Sequence, residues 1–439
     1  MSRREISDRL RKALHLDALE SLSEQGLAPT TSLYQEAAGV GRMAPRQSNE
    51  VNSSVSDDAW SAATRFHLGS VFETGHDIRR LVNGDEIFPA MLASIRSATR
   101  SIEFLSFIFQ DDSISETFCD ALINRANAGV RVRVIMDAFG GKAALNSLIS
   151  KMEKNGIQVE IFHPISSWKF WRTSCRNHRK ILVVDNRVAY IGGVGVSELW
   201  TGCGDSPSSC RDTHFRVTGP AVAHFKAAFL TNWASAGGKL PDPTDDIPLS
   251  TPRRGMNELA AVVPSSSASQ YSTVSLLFQL LIRCTTKSLH IVTPYFVPGS
   301  VLIKELTNAS RRGARIDIML SGNHCDHRSA LWAGRSCYQP LLNAGINIYE
   351  YDRTLLHTKA YIVDEHLVAL GSPNMNQRSQ TMDEEIALLA LSSRLASEML
   401  YDMEQDRAFC RQIESEKWSK RPIHNRLIEN TAAMFSSQL

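Results

Sequence analysis

Two stretches of the chain, Asn177 to Gly193 (NHRKILVVDNRVAYIGG) and Leu356 to Ser372 (LHTKAYIVDEHLVALGS), repeat one spacing. Each has a histidine, a lysine two residues on, an aspartate five beyond that and a glycine seven further: His178, Lys180, Asp185 and Gly192, then His357, Lys359, Asp364 and Gly371. A lone His-x-Lys pair is ordinarily surface decoration. Two pairs with matching flanks point to one site built from two copies.

Two imidazoles and two ammonium groups brought to a point suit a phosphodiester better than a carbonyl or a glycoside. Lys180 and Lys359 can neutralise the non-bridging oxygens and the extra charge of a five-coordinate transition state. One neutral imidazole can attack phosphorus while the other, protonated, gives its proton to the leaving alkoxide. Imidazole suits both tasks because its unperturbed pKa lies near neutrality. The second histidine, now a base, can then deprotonate an incoming water or alcohol. This cycle calls for no cofactor and no metal, and the neighbouring lysines would repel a cation.

Asp185 and Asp364 belong to the motif and are candidate catalytic residues, but their place at strand ends also suits turn caps. Asn374, with Ser372 beside it in Gly-Ser-Pro-Asn, is a candidate phosphate donor or a turn former. Asp212 and Glu385 are candidate carboxylates for holding the imidazoles in one tautomer, or ordinary salt-bridge partners.

The elements that must carry these groups alternate. Strands at 101–109, 130–137 and 157–162 are separated by helices over 86–99, 115–128 and 143–155, and a strand from Asp212 and a helix from Ala221 follow the first motif. Strands at 288–296 and 314–320 and a second motif repeat the plan, so an internal duplication is the economical reading. Period-two alternation predicts His178 and Lys180 on one face of one strand. The domain reading is an N-terminal extension over 1–65, a first lobe over 66–240, a linker over 241–258 and a second lobe over 259–439. Each lobe is expected to be α/β, a mixed sheet flanked by helices.

With 439 residues, 48 basic against 46 acidic side chains and a net charge of +2, global charge does not suit a holder of long nucleic acid. Eight cysteines without a CxxC pair favour free thiols over a stapled scaffold, although Cys203 and Cys210 flank a loop and could pair in an oxidising compartment. No apolar run is long enough to span a bilayer, so the expected address is the cytoplasm, with membrane substrates met from the surface. Two segments suit such contact. The first is residues 1–22, with helically spaced leucines among arginines, which could equally pack on its own domain. The second is the loop bearing Trp168, Lys169, Phe170, Trp171 and Arg172, a membrane loop or an active-site rim.

The two motif copies, with TPYFVP at Thr293–Pro298, RDTHFRVTGPAV at Arg211–Val222, GSPNMNQRS at Gly371–Ser379 and the tail around Trp418–Pro422, resemble the phospholipase D superfamily, most closely the bacterial cardiolipin synthases. The resemblance implies pseudo-twofold-related α/β lobes with the active site between them. It implies His178 as nucleophile, His357 as general acid/base, Lys180 and Lys359 as phosphate ligands, Ser372 and Asn374 as supporting polar groups, and Asp212 and Glu385 as orienting acids. It also implies transfer of a phosphatidyl group from phosphatidylglycerol to the hydroxyl of a second phospholipid with release of glycerol, on the inner face of the cell membrane. The sequence departs from the pattern where Gly193 and Gly195 stand opposite Ser372 and Asn374, and in lacking the N-terminal spans that such synthases often carry. A phosphodiesterase or nuclease of the same superfamily, and a non-catalytic membrane-binding protein, are the alternative readings. Oligomeric state is not legible.

Overall fold

The computed structural model describes residues 55–141, 147–164, 175–242, 258–266 and 272–435. The first lobe contributes strands β1 (Glu73–Val82), β2 (Ser101–Ser106), β3 (Arg131–Asp137), β4 (Gln158–Phe162), β5 (Ile181–Val184), β6 (Val188–Gly192) and β7 (Thr213–Thr218). The second contributes β8 (Glu258–Ser265), β9 (Ser288–Thr293), β10 (Phe296–Val297), β11 (Arg315–Ser321), β12 (Asn347–Tyr351), β13 (Ala360–Val363), β14 (Leu367–Gly371), β15 (Met375–Asn376), β16 (Glu385–Leu391) and β17 (Cys410–Gln412).

The duplication is visible in strand order. The series β1-β7-β6-β5-β2-β3-β4 in the first lobe recurs as β8-β16-β14-β13-β9-β11-β12 in the second, with β17 added at the outer edge. β1 pairs with β8, so among the described residues the two mixed sheets run together as one sheet of fifteen strands, while β10 and β15 form a separate ribbon. In both lobes the three outer strands of the series are parallel, crossed over by helices, and the inner ones are antiparallel.

Apolar faces explain the layers. Helices Asn83–Arg96 and Ser113–Asn127 bury Ile87, Phe88, Phe118 and Leu122 on one face of the first sheet, and helix Thr273–Cys284 buries Leu277, Phe278 and Leu281 on the second. A third core is shared: Ile181, Val183 and Phe215 of the first lobe meet Ile362, Leu370 and Leu388 of the second around helices Ala221–Ala236 and Ser393–Arg407. Lobes with a common core hold their facing edges in fixed register, which a site between them requires.

One element departs from the sequence reading. Helix Asp57–Leu68 lies largely within the stretch read as an N-terminal extension; Ser56 caps it and Trp60, 2% exposed, plugs into the second lobe's core. β8 starts at Glu258, where the segment read as a linker ends, and pairs along its length with β16 through the apolar run Leu259 to Val263. The readings at residues 1–22 and at Trp168–Arg172 lie outside the described residues. Among the described residues no helix is long and apolar enough to cross a membrane. All eight cysteines are free thiols, Cys203 and Cys210 included.

Candidate active site

The aspartates of the two motifs stand apart from the histidines. Asp185 and Asn186 (φ 54° and 55°) and Asp364 and Glu365 (φ 50° and 57°) form the tips of type I′ turns joining β5 to β6 and β13 to β14. The Asp185 carboxylate accepts from the backbone N–H of Thr99, Arg100 and Ser101 at 2.7–3.1 Å, and Asp364 does the same for Thr286, Lys287 and Ser288. Each aspartate ties its hairpin to the start of the neighbouring strand, at the far end of β5 or β13 from the lysine. The turn-cap alternative is the one the geometry matches.

The His-x-Lys triplets are not in the strand ladder, contrary to the alternation reading. β5 begins at Ile181 and β13 at Ala360, and each preceding tripeptide bonds across to the other lobe. His178 N donates to Glu384 O at 2.9 Å and Glu384 N to Arg176 O at 2.8 Å; His357 N donates to Arg211 O at 2.7 Å and Arg211 N to Leu355 O at 2.9 Å. Arg179, between the first pair, turns inward with 2% exposure and donates to the carbonyls of Glu385, Ser265 and Ala228. These crossings fix both histidines at the seam.

There the carboxylates are exchanged between lobes. His178 Nδ1 lies 3.1 Å from both oxygens of Glu385, which is on the second lobe, and His357 Nδ1 lies 2.9 Å from Asp212 of the first. An Nδ1–H held by a carboxylate fixes the tautomer and leaves Nε2 for chemistry. Glu385 also accepts from Ser379 Oγ at 2.6 Å and from Ser372 Oγ, and Asp212 accepts from Trp200 Nε1 at 3.2 Å and Thr213 N at 2.8 Å. Ser372 is fully buried behind Glu385, so it reaches the histidine's carboxylate rather than the cleft, correcting its placement among substrate-contacting groups.

The glycines of the first copy have a steric cause. A Cβ on Gly193 would come 2.5 Å from Asp212 Oδ2 and 2.8 Å from His357 O, and one on Gly195 would come 2.8 Å from Ile108 Cβ. Neither a serine nor an asparagine fits. Trp200, from the 198–210 loop, supplies the donor to Asp212 that Ser372 supplies to Glu385. Its ring also meets His357 edge-on at 5.2 Å, as Phe107 meets His178 at 5.2 Å. Sequence reasoning gave no individual role to Trp200, Phe107, Ser379 or Arg179, although Arg179 lies inside Asn177–Gly193 and Ser379 inside Gly371–Ser379, stretches that signalled importance.

Lys180 and Lys359, 3% and 1% exposed, donate to the carbonyls of His178 and His357 at 2.8 and 2.6 Å. Burial pulls Lys180 down to about 7, reinforced by Lys359, and pulls Lys359 down to about 8. Burial, then the adjacent lysine, lowers both His178 and His357 to about 4. Each histidine also feels the other copy's lysine, so the four groups share one field. Burial would raise Asp212, but the His357 hydrogen bond and charge hold it at about 2.

Acid should therefore loosen the fold. The unfolded histidines titrate near 6.5 and the folded ones near 4, so between those values the unfolded chain binds more protons and stability rises with pH. Resistance to urea unfolding is expected to fall as pH drops from 6.5 toward 4, by up to about 1.4 kcal/mol per pH unit for each histidine. Replacing His178 or His357 by glutamine is expected to flatten that slope; an unchanged slope counts against the burial account.

A cleft of about 340 Å³ opens over His178, walled by Phe107, Phe139 and Tyr295 and by the polar Asn374 and Asp383. Tyr295 is also edge-on to His357, at 6.5 Å between ring centres. Asn374 is 4% exposed, and its Oδ1 has no hydrogen-bond partner among the described residues. Burial pushes Asp383 up to about 7 although Arg378 lies 2.9 Å away. The structure thus brings His178, His357, Lys180, Lys359, Asp212, Glu385 and Asn374 to one seam and leaves Asp185 and Asp364 outside it.

A duplicated α/β frame with two histidine–carboxylate pairs exchanged across its seam and two buried lysines beside them defines a phosphodiester-attacking enzyme of phospholipase D type. Residues 91–224 and 277–407 match the family model described as cardiolipin synthase, PLD-like domain, and the chain belongs to that family. It is 31% identical over 344 residues to cardiolipin synthase A of Pseudomonas fluorescens, covering 78% of this chain and 71% of that one. It is 29% identical over 379 residues to cardiolipin synthase 2 of Bacillus anthracis, covering 85% and 72%. In fold it is similar to the crystal structure of a phosphatidylserine synthase from Haemophilus influenzae Rd KW20, with TM-score 0.65 at 13% identity over 86% of this chain and 99% of that one. The chain is an enzyme of the phospholipase D superfamily, with phosphatidyltransferase-type chemistry on phospholipids.

Proposed function

We propose that the enzyme moves a phosphatidyl group from phosphatidylglycerol to the hydroxyl of a second phospholipid and releases glycerol, working peripherally on the inner face of the cell membrane. The exchange of Glu385 and Asp212 between lobes carries this reading, because it gives each imidazole a carboxylate partner and a separate task. His178 Nε2 attacks phosphorus and the bond from phosphorus to the glycerol oxygen breaks, His357 giving that oxygen its proton. His357, now neutral, takes the proton of the incoming lipid hydroxyl. That oxygen bonds to phosphorus as the phosphorus–nitrogen bond breaks and its electron pair returns to His178.

Burial, and then the lysine charges, hold both imidazoles toward the neutral form. An arriving phosphodiester anion offsets the lysine part and so favours uptake of the proton His357 needs. Asn374, with its free amide oxygen, and the phenyl walls suit a headgroup and acyl chains respectively.

The test is lipid mass analysis after incubating the purified protein with mixed phosphatidylglycerol and phosphatidylethanolamine vesicles. Cardiolipin and free glycerol in equal amounts are expected. Phosphatidic acid alone would assign hydrolysis, and cleavage of oligonucleotides without turnover of vesicles would overturn the lipid reading.

A further inference from the structure

Helix Ile423–Ala433 is built inside out. Its buried residue is Glu429, 4% exposed and held by Arg421 at 2.7 Å, whereas Ile423 is 73% and Leu427 62% exposed. Ile428 on the same helix, and Met434 and Phe435 just beyond it, are exposed as well. A helix on a soluble protein ordinarily turns such residues toward the core. A contiguous exposed apolar row marks an interaction surface.

Its position says which kind. The helix packs on helix Arg328–Ser336, which with the preceding His327 reaches the catalytic cleft through Ala330. On its other side the same short helix carries Trp332, which lines a second cavity of about 430 Å³ together with Ile428. One nine-residue helix thus joins the apolar row to the cleft wall. The second cavity is no anion site of its own: Arg335 is bound to Glu350 at 2.8 Å, Lys417 to Glu414 at 2.7 Å and Arg421 to Glu429. Around the row, Lys417, Lys420 and Arg426 are exposed, and Glu416 is the exposed acid between Ser415 and Phe435.

We propose that the tail from Ser415 to Phe435 is the docking element that seats the enzyme on an anionic phospholipid surface, with Ile423, Leu427, Met434 and Phe435 entering the lipid and Lys420 and Arg426 meeting headgroups. The inference rests on the phospholipid reading of the cleft, since docking here brings substrate to that cleft. An apolar row interspersed with cations matches an interfacial helix on anionic lipid. A second copy of the chain fits less well, because a twofold interface would set this patch against itself and its cations against each other.

The test compares the full chain with Ile423→Glu/Leu427→Glu in three measurements: co-sedimentation with vesicles of phosphatidylglycerol and phosphatidylcholine, turnover of those vesicles, and turnover of monomeric short-chain phosphatidylglycerol. Vesicle affinity and vesicle turnover are expected to fall together by about tenfold or more, with turnover of the monomeric lipid unchanged. Unchanged vesicle affinity overturns the docking surface, even if sedimentation shows that the substitution abolishes a dimer. A parallel loss on monomeric lipid also overturns it, since the helix would then be supporting the cleft. Absence of turnover by the unsubstituted chain on every phospholipid, with vesicle binding still lost in the variant, would sink the transferase reading and leave the docking surface standing.

Discussion

Alanine at His178 is expected to lower phosphatidyl transfer by about 10⁴-fold or more, as removal of a nucleophile does when its partners remain in place. The loss should not come from unfolding. The ring lies edge-on to Phe107 and against Glu385, and its side chain keeps 12% of its surface open. Alanine at His357 is expected to be comparably damaging on natural lipids, so rate alone does not separate the two. A phosphodiester with a nitrophenolate leaving group does, because that anion departs without a proton. With it, the His357→Ala enzyme is expected to show a burst of nitrophenolate and to hold a phosphorylated histidine detectable by mass, while the His178→Ala enzyme shows neither. The reverse pattern would exchange the two roles. Equal residual activity in both variants would remove the covalent intermediate altogether.

The His-x-Lys pairs were legible because their spacing is local and the chain supplies its own second copy for comparison. Asp212 and Glu385 could be named as carboxylates, but not assigned: Glu385 is 207 residues from the histidine it holds and Asp212 is 145 from its own. Such pairing is decided by the backbone crossings at the seam, which have no periodic signal. Membership of a motif also proved a poor guide to role. Asp185 recurs with His178 because the hairpin must be tied down for β5 to present Lys180, a geometric need that looks the same in sequence as a chemical one. The glycines at 193 and 195 show the converse. Judged against Ser372 and Asn374 they read as missing donors, whereas in space they are the room that Asp212 and Ile108 occupy, and Trp200 of the 198–210 loop replaces the lost hydrogen bond.

The exchanged carboxylates carry the second large expectation. Asp212→Asn and Glu385→Gln keep shape and remove charge, and each is expected to cost about 10²–10⁴-fold in kcat, the range seen when a histidine loses the anion that fixes its tautomer. The two should differ in which side of the pH profile they move. Asp212 is what favours the protonated form of His357, so its neutral replacement lowers the pKa of the group that must donate a proton. The alkaline fall in kcat is then expected to begin at lower pH, by about one unit. Glu385 favours protonation of His178 in the same way, but His178 must be neutral to attack. Its replacement is expected to move the acid limb to lower pH instead, leaving the alkaline limb in place. Opposite limbs moving in the two variants would tie each carboxylate, through its own histidine, to one half of the reaction, and movement of the same limb in both would break the division of labour between His178 and His357.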